Sequence, residues 1–207
     1  MKLDAKRPLV IGTRNRKKGA EIAELLAPHG VEVVTLADVR DAIDVVEDGE
    51  TFAANAALKA TQQAKQLRCW VLADDSGLEV DALGGKPGVY SARFAGPDAA
   101  DEANNRRLLE ALSDTPLEKR TARYVCHVTL ADPTGAIRAE SHEVCHGRIR
   151  FEPAGTNGFG YDPLFEVVEY HRTFGELGPH VKRTISHRAR ALRAILPKLV
   201  GMLDTGC

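Results

Sequence analysis

Apolar and polar positions in residues 9–73 follow one another in the pattern of alternating strands and helices. Residues 9–11 and 31–35 are short apolar runs typical of strands, and residues 70–73 predict a third, buried strand. Residues 51–67 predict a helix, because small and apolar side chains recur there at helical spacing: Phe52, Ala56, Ala60, Ala64 and Leu67. An earlier helix should follow the first strand and end at Gly30, since glycine tolerates the left-handed backbone found after helices.

The second half of the chain predicts a helix, a long hairpin and a closing helix. Residues 98–112 should be helical, and residues 121–131 and 136–145 should pair as an antiparallel hairpin turned by Asp-Pro-Thr-Gly. Residues 186–199 predict the last helix, with Ser186 as its N-cap and Pro197 kinking it or ending it early. Together these elements predict an α/β fold with a mixed β-sheet and flanking helices, in one domain spanning residues 1–207.

The composition is that of an ordinary globular protein, with 43% hydrophobic and 28% charged residues in a chain of 207. Twenty-eight basic residues against 29 acidic ones leave a formal net charge of −1, which gives no electrostatic drive toward nucleic acid or acidic membranes. No apolar run approaches the roughly 20 residues that span a bilayer. The charged residues 1–7 lead into a short strand-like run at residues 9–11 and not into the apolar stretch of a signal peptide, so we expect a cytoplasmic protein.

Two Cys-His dipeptides, at residues 126–127 and 145–146, raise the question of a zinc site. Neighbouring residues in a strand point to opposite faces, so each dipeptide offers only one ligand to a given face. The four cysteines, which include Cys207, show no paired spacing of a disulfide framework. A buried structural cysteine beside a solvent-facing or core histidine is the favoured interpretation.

A polar loop at residues 13–18 follows the first strand and precedes a helix. Backbone N–H groups at a helix N-terminus, together with a nearby lysine side chain, bind phosphate well. Thr13, Asn15, Lys17 and Lys18 are the candidate residues, and the spacing to Glu21 favours Lys18 over Lys17, although the spacing is not that of a P-loop. A solvated basic turn is the alternative interpretation.

Two adjacent carboxylates, Asp74 and Asp75, should lie at the C-terminal end of the third strand, followed by Ser76 and Gly77. Such a pair is costly at the end of an apolar strand unless a cation neutralises it, and Mg²⁺ prefers carboxylate oxygens. A simple turn is the alternative, because Asp, Ser and Gly all favour turns. Glu47 is a further candidate ligand, or else it stabilises the following helix dipole.

Residues 158–163, Gly-Phe-Gly-Tyr-Asp-Pro, place two aromatic rings next to glycines on a predicted loop. An aromatic side chain held in this way can stack on a nucleobase, whereas packing into the core is the commoner outcome. Lys182, His187 and Arg188 near the last helix can donate to a carbonyl or phosphate, or else serve as surface caps.

The order of these motifs resembles that of the inosine triphosphatase family, the bacterial dITP/XTP pyrophosphatases. The resemblance covers nearly the whole chain. It rests on these segments in order: Thr13-x-Asn15-x-x-Lys18-x-x-Glu21, Phe52-x-x-Asn55-Ala56-x-x-Lys59, the block from Ala73-Asp74-Asp75-Ser76-Gly77 to Ser91-Ala92-Arg93, Gly158-Phe159-Gly160-Tyr161-Asp162-Pro163, and Ser186-His187-Arg188.

The resemblance implies a Mg²⁺-dependent hydrolysis of purine nucleoside triphosphates such as ITP, dITP and XTP to the monophosphate and pyrophosphate. It also implies a homodimer and a sheet with two lobes around a central cleft. It makes Asp75 the general base and a metal ligand, with Glu47 the other ligand, and it gives Lys59 and Asp74 catalytic roles. The implied substrate-binding residues are Thr13, Asn15, Lys18, Ser76, Phe159, Gly160, Tyr161, Asp162, Lys182, His187 and Arg188. A pyrophosphatase for other modified nucleotides and a non-catalytic nucleotide-binding regulator are the alternatives.

Overall fold

The computed structural model describes residues 8–204, so that the charged residues 1–7 and Cys207 lie outside the described part. Its strands form a seven-stranded sheet in the order β2-β1-β3-β4-β5-β6-β7. The β1 strand pairs in parallel with β2 and β3, whereas β6 pairs antiparallel with β5 and β7. The strands are β1 (Leu9–Ile11), β2 (Val33–Thr35), β3 (Val71–Val80), β4 (Thr121–Ala131), β5 (Ile137–Ile149), β6 (Phe165–Val167) and β7 (Arg172–Thr173).

Helices accompany this sheet, as the sequence pattern predicts for an α/β fold with a mixed sheet. They are α1 (Arg16–Leu26), α2 (Phe52–Leu67), α3 (Asp101–Ala111), α4 (Pro179–Ile185) and α5 (His187–Asp204). The predicted class is therefore confirmed. Within residues 8–204, none of the helices is long and apolar enough to cross a membrane.

Side-chain caps begin the first two helices. The Asn15 side chain accepts hydrogen bonds from the backbone N–H groups of Lys17 and Lys18. The Thr51 side chain accepts from the N–H of Ala54. Each cap satisfies donors that have no partner within the helix and contributes about 1 kcal/mol.

The chain forms two compact units, each assembled from separate stretches of sequence. Unit 1 contains the residues up to Asp75, Cys126–Glu143 and the residues from Arg188 onward. Unit 2 contains Ser76–Val125 and Val144–His187. The prediction that residues 1–207 form a single domain stays a prediction.

In unit 1, the two faces of β1 and β3 pack against different helices. Ile11 and Leu72 are buried with Ile22 of α1 and with Leu192 and Ile195 of α5. On the other face, a cluster of small side chains from β1, α2 and β3 is buried: Val10, Ala60, Ala64, Val71 and Ala73. The alanines of α2 therefore give the close helix–sheet packing that their spacing predicts.

In unit 2, the core is built around aromatic rings. Phe165 and Phe174 are stacked with their centroids 5.6 Å apart, and the Tyr124 ring lies 4.6 Å from that of Phe165. Leu108 of α3 and Leu112, which follows this helix, complete the cluster and are fully buried. This aromatic core includes Tyr124 of β4.

The structure corrects the predicted end of the third strand. The β3 strand continues to Val80, so that residues 74–77 lie in its interior and not in a loop after it. Leu78 and Val80 are fully buried and carry the strand onward. The Asp-Ser-Gly composition favours a turn locally, but burial of the later side chains and cationic partners for the carboxylates outweigh that preference.

The C-terminal region also differs from the prediction. Residues 179–185 form α4, which the pattern does not indicate, and α5 continues through Pro197 to Asp204. Proline removes one helical hydrogen bond, but Ile195 and Leu199 on either side are buried in the core and hold the helix in place. Ser186 has an extended backbone just before α5, as an N-cap residue does.

Candidate active site

Asp74 and Asp75 point to opposite faces of β3, because adjacent side chains in a strand alternate. The partners of Asp74 come from α1 and α5, namely Lys18 and Arg188. Those of Asp75 come from α2. Asp75 keeps 11% of its side-chain exposure, whereas Asp74 has none. The structure therefore does not bring the two carboxylates together as a pair, which corrects the expectation that they act side by side.

Asp75 belongs to a group that we call the carboxylate cluster, formed by Glu47, Asn55, Lys59 and Asp75. The Lys59 Nζ atom lies 2.9 Å from Asp75 Oδ1 and 3.0 Å from Glu47 Oε2. Asn55 Nδ2 donates to the second oxygen, Asp75 Oδ2, at 3.4 Å. Two carboxylates thus converge on a single ammonium group.

The segment that carries Glu47 has no regular secondary structure and is tied to α2 by side-chain amides. Asn55 Oδ1 accepts from the N–H of Gly49 at 2.9 Å. Gln63 accepts from the N–H of Ile43 at 3.3 Å and donates to the same residue's carbonyl at 2.5 Å. Asn55 has no role predicted from the sequence, although its four-residue spacing from Lys59 places both side chains on one face of α2.

Burial and charge act differently on the two ionisable partners. Burial raises the pKa of the Asp75 carboxyl above its ordinary value and outweighs the opposing effect of Lys59 and Lys18. Burial alone would lower the pKa of Lys59, but Asp75, Asp74 and Glu47 together hold it above its ordinary value. Lys59 therefore stays protonated, while Asp75 is a stronger base than an exposed aspartate.

Asp74 is the centre of a second, fully buried network in unit 1. The Arg188 Nε atom lies 3.2 Å from Asp74 Oδ2, and its Nη1 atom pairs with Glu21. The Lys18 ammonium lies 3.7 Å from the same Asp74 oxygen. Burial would raise the pKa of Asp74, but Lys18, Arg188 and Lys59 hold it well below its ordinary range. Asp74 is thus a permanent anion that holds two predicted substrate-binding cations.

The predicted phosphate loop is organised around the cap of α1. Thr13 Oγ1 accepts from the N–H of Asn15 at 3.2 Å, and Asn15 in turn caps the helix. Lys18 is partly buried beside Asp74, whereas Lys17 is exposed. Of the two lysines, Lys18 is therefore the one that lies beside Asp74.

In unit 2, Asp162 organises the other predicted substrate-binding residues. Its Oδ2 atom accepts from Lys182 Nζ at 2.6 Å and from the N–H of Phe159 at 2.8 Å. The Lys182 ammonium also lies 4.5 Å from the centroid of the Phe159 ring. Asp162 is 1% exposed, so its role here is to hold neighbours in place.

Tyr124 of β4 links Asp162 to His187. Its hydroxyl donates to Asp162 Oδ1 at 3.3 Å, and its ring is stacked on the His187 imidazole with centroids 4.6 Å apart and an interplanar angle of 11°. Sequence reasoning misses Tyr124, because its position reads only as part of a hairpin strand.

The remaining predicted residues lie in or beside the same loop. The Tyr161 hydroxyl donates to the carbonyl of Ser91 at 2.8 Å, and the Tyr161 side chain is buried. Gly160 is held through its backbone by side chains of α3. Ser76 follows Asp75 along β3 and is half-buried.

Asp75 and Glu47 fit the chemistry of a hard divalent cation. Both offer carboxylate oxygens, and both reach the same positive group, so their oxygens lie within a few ångströms of one another. Mg²⁺ is commonly held by one or two carboxylates, with water and substrate phosphates completing its shell. Within residues 8–204, no set of three His, Cys, Asp or Glu side chains forms a metal site, the Cys-His dipeptides included.

Comparison with known proteins gives a consistent result. The model of the Ham1 family matches residues 9–198. A dITP/XTP pyrophosphatase of Rhodopirellula baltica is 54% identical over 197 residues, which cover 95% of each chain. One from Geobacillus kaustophilus is 50% identical over 184 residues, 89% of this chain and 90% of its own.

Solved structures agree with these relatives. The HAM1 protein of Coxiella burnetii superposes with a TM-score of 0.84 at 39% identity, over 94% of this chain and 98% of its own. A nucleoside-triphosphatase / dITP/XTP pyrophosphatase of Mycobacterium abscessus superposes with a TM-score of 0.74 at 44% identity, over 93% of this chain and 99% of its own.

Proposed function

The chain belongs to the Ham1 family, and from this membership we infer that it is a nucleoside-triphosphate pyrophosphatase. It hydrolyses non-canonical purine nucleoside triphosphates (dITP, ITP and XTP) to the monophosphate and pyrophosphate, and so cleanses the nucleotide pool. The observation that carries this conclusion is the match to dITP/XTP pyrophosphatases over nearly the full length of both chains.

The carboxylate cluster supports the hydrolytic step. A water oxygen forms a bond to the α-phosphorus, the bond from that phosphorus to the bridging oxygen breaks, and pyrophosphate leaves. Asp75 takes the proton from the water, since its raised pKa makes it a suitable general base. The Lys59 ammonium, which stays protonated, offsets negative charge on the phosphates.

Mg²⁺ is the cofactor that we propose, with Asp75 and Glu47 as its protein ligands. When bound, the ion supplies positive charge to the triphosphate and lowers the pKa of the attacking water. The Asn55 side chain binds both the N–H of Gly49 and the Asp75 carboxylate. It therefore supports both the segment that carries Glu47 and the strand that carries Asp75.

The phosphates are also the proposed targets of the residues 13–18 loop. The N-terminus of α1 provides the positive end of a helix dipole, and Lys18 adds a full charge. Asp74 fixes the Lys18 side chain at this helix end, beside Arg188. In this proposal Asp74 positions cations and takes no proton.

Base recognition is assigned to three of the predicted substrate-binding residues. The Phe159 ring is proposed to stack on the purine, while His187 and Arg188 are proposed donors to the 6-keto oxygen. A 6-keto group accepts a hydrogen bond, whereas adenine presents an amino donor at the same position. A donor buried against adenine would lose its partner, which penalises ATP.

Two further proposals concern the assembly and the location of the enzyme, and the first rests on the family resemblance alone. The enzyme acts as a homodimer, which light scattering on the purified protein tests directly. It works in the cytoplasm, where the nucleotide pool resides.

A single assay tests the proposed function. The protein is incubated with dITP, ITP, XTP, GTP and ATP, with and without Mg²⁺, and pyrophosphate and orthophosphate are measured separately. We expect pyrophosphate from the first three nucleotides, little product from GTP and ATP, and no turnover in the presence of EDTA. Orthophosphate as the product would overturn the reaction class, and binding without any product would indicate a nucleotide-binding regulator instead.

A further inference from the structure

In unit 2, side chains of α3 bind both the N–H and the carbonyl of Gly160. Asp101 Oδ2 accepts from the N–H of Gly160 at 2.9 Å. Asn105 Nδ2 donates to the Gly160 carbonyl at 3.0 Å. The two side chains are four residues apart and therefore lie on the same face of α3. One helix face thus offers an acceptor and a donor that match both polar groups of a single residue.

The Phe159 loop (residues 158–162) needs such support, because its own backbone is permissive. Gly158 and Gly160 have φ angles of 76° and 63°, in the left-handed region that glycine enters at little cost. A Cβ atom on Gly158 would collide with the Asp162 carboxylate, so glycine is required there. Glycines on both sides leave the Phe159 ring free to move unless something outside the loop fixes it.

The contacts on the two sides of Phe159 complement one another. Asp162 accepts from the N–H of Phe159 itself at 2.8 Å. Asp101 and Asn105 fix the residue that follows. The ring is then held between the Lys182 ammonium, 4.5 Å from its centroid, and a backbone anchored at both ends.

We propose that Asp101 and Asn105 are positioning residues, which preorganise the Phe159 ring for stacking on the purine base of the substrate. This inference rests on the proposed function, because it requires Phe159 to meet a base. Neither residue takes part in the chemistry at the phosphates. They act by lowering the conformational entropy that the loop loses when a nucleotide binds.

Positioning of this kind predicts a selective kinetic effect. Asp101→Ala and Asn105→Ala should each raise KM for dITP about three- to tenfold, the factor that corresponds to one hydrogen bond, while kcat stays within about twofold. Inorganic tripolyphosphate has no base. Its inhibition constant should therefore be unchanged in both variants.

Two further variants separate positioning from general loosening of unit 2. Asp101→Asn keeps an oxygen that accepts from the Gly160 N–H, so it should restore a near wild-type KM. Asn104→Ala is the matched control, since Asn104 is the neighbouring buried amide on α3 and binds the backbone of Ala92 and Ala95. It should lower the melting temperature about as much as Asn105→Ala but leave the KM for dITP unchanged.

The outcomes discriminate between the inference and the function on which it rests. If the wild-type enzyme hydrolyses dITP but KM is unchanged in both alanine variants, the positioning role is wrong. The same holds if Asn104→Ala raises KM equally, or if the inhibition constant of tripolyphosphate rises in step with KM. A wild-type enzyme that leaves dITP intact overturns the proposed function, and the inference with it.

Discussion

The carboxylate cluster of unit 1 and the Phe159 loop of unit 2 are built from opposite kinds of interaction. In the cluster, regular elements present two of the charges, since β3 carries Asp75 and α2 carries Lys59, while Glu47 lies on an irregular segment. In the loop, an irregular backbone is fixed by hydrogen bonds from Asp162 within the loop and from Asp101 and Asn105 of α3. Regular elements thus hold most of the groups whose charge matters, whereas an irregular segment carries a ring whose orientation matters.

We expect the carboxylate cluster and the Phe159 loop to control different kinetic parameters. Groups that move protons or offset charge on the phosphates act mainly in the transition state, so their loss lowers kcat. A ring that stacks on the base contacts substrate and transition state alike, so its loss raises KM. This division of roles is therefore wrong if substitutions in the cluster mainly raise KM, or if substitutions in the loop mainly lower kcat.

The largest effect is expected for Asp75→Asn. The amide cannot accept the proton of the attacking water, and a ligand charge for Mg²⁺ is lost, so kcat with dITP should fall about 10²- to 10⁴-fold. Asp48→Asn is the matched control, since Asp48 is an exposed carboxylate next to Glu47, the other proposed metal ligand. Steady-state rates at saturating Mg²⁺ measure both, and a near wild-type rate for Asp75→Asn would refute the assignment.

The pH profile sharpens the same prediction. The folded-state pKa of Asp75 is raised above the ordinary aspartate value of 3.8, so its basic form is lost as pH falls through that raised pKa. A proton on Asp75 competes with Mg²⁺ for the carboxylate, so at subsaturating Mg²⁺ the wild-type kcat/KM should begin to fall at a pH above the range of exposed aspartates. The residual activity of Asp75→Asn should lack this acidic limb, and a limb that persists would assign it to another group.

The sequence predicts the residue types of the cluster better than their arrangement. Asp74 and Asp75 read as a pair at a strand end, yet they lie inside β3 and face opposite sides of it. Local composition favours a turn there, and only the cations brought by α1, α2 and α5 make two buried carboxylates tolerable in a strand. Those cations are distant in sequence: Arg188 is 114 residues from Asp74.

The loop shows the reverse limitation. Its position and its residues are predicted from the glycine–aromatic pattern, and the structure places Phe159 and Asp162 in direct contact. What holds the loop is not predictable from local sequence, because Asp101 and Asn105 act across 59 and 55 residues. Buried polar side chains that bind distant backbone leave no periodic signature, so only the folded chain reveals them.

The second largest effect is expected for Phe159→Ala. Stacking of an aromatic ring on a base is worth about 1–3 kcal/mol, so KM for dITP should rise about five- to 100-fold while kcat changes little. Phe151→Ala is the control, because Phe151 is an exposed phenylalanine of the same unit whose ring lies against Arg120. An unchanged KM in Phe159→Ala would remove this ring from base binding.

The smallest effect, and the finest test of the comparison, is expected for Tyr124→Phe. This change removes only the hydroxyl that donates to Asp162 and keeps the ring that stacks on His187. At 3.3 Å the hydrogen bond is long, so KM should rise about two- to fourfold with kcat unchanged. Tyr170→Phe, at an exposed tyrosine of unit 2, is the control for loss of a hydroxyl. A Tyr124→Phe variant with a lower kcat and an unchanged KM would show that Asp162 acts on the chemistry and not on the Phe159 ring. The charged region would then not be the only one that sets kcat, and the division of roles between the two regions would be wrong.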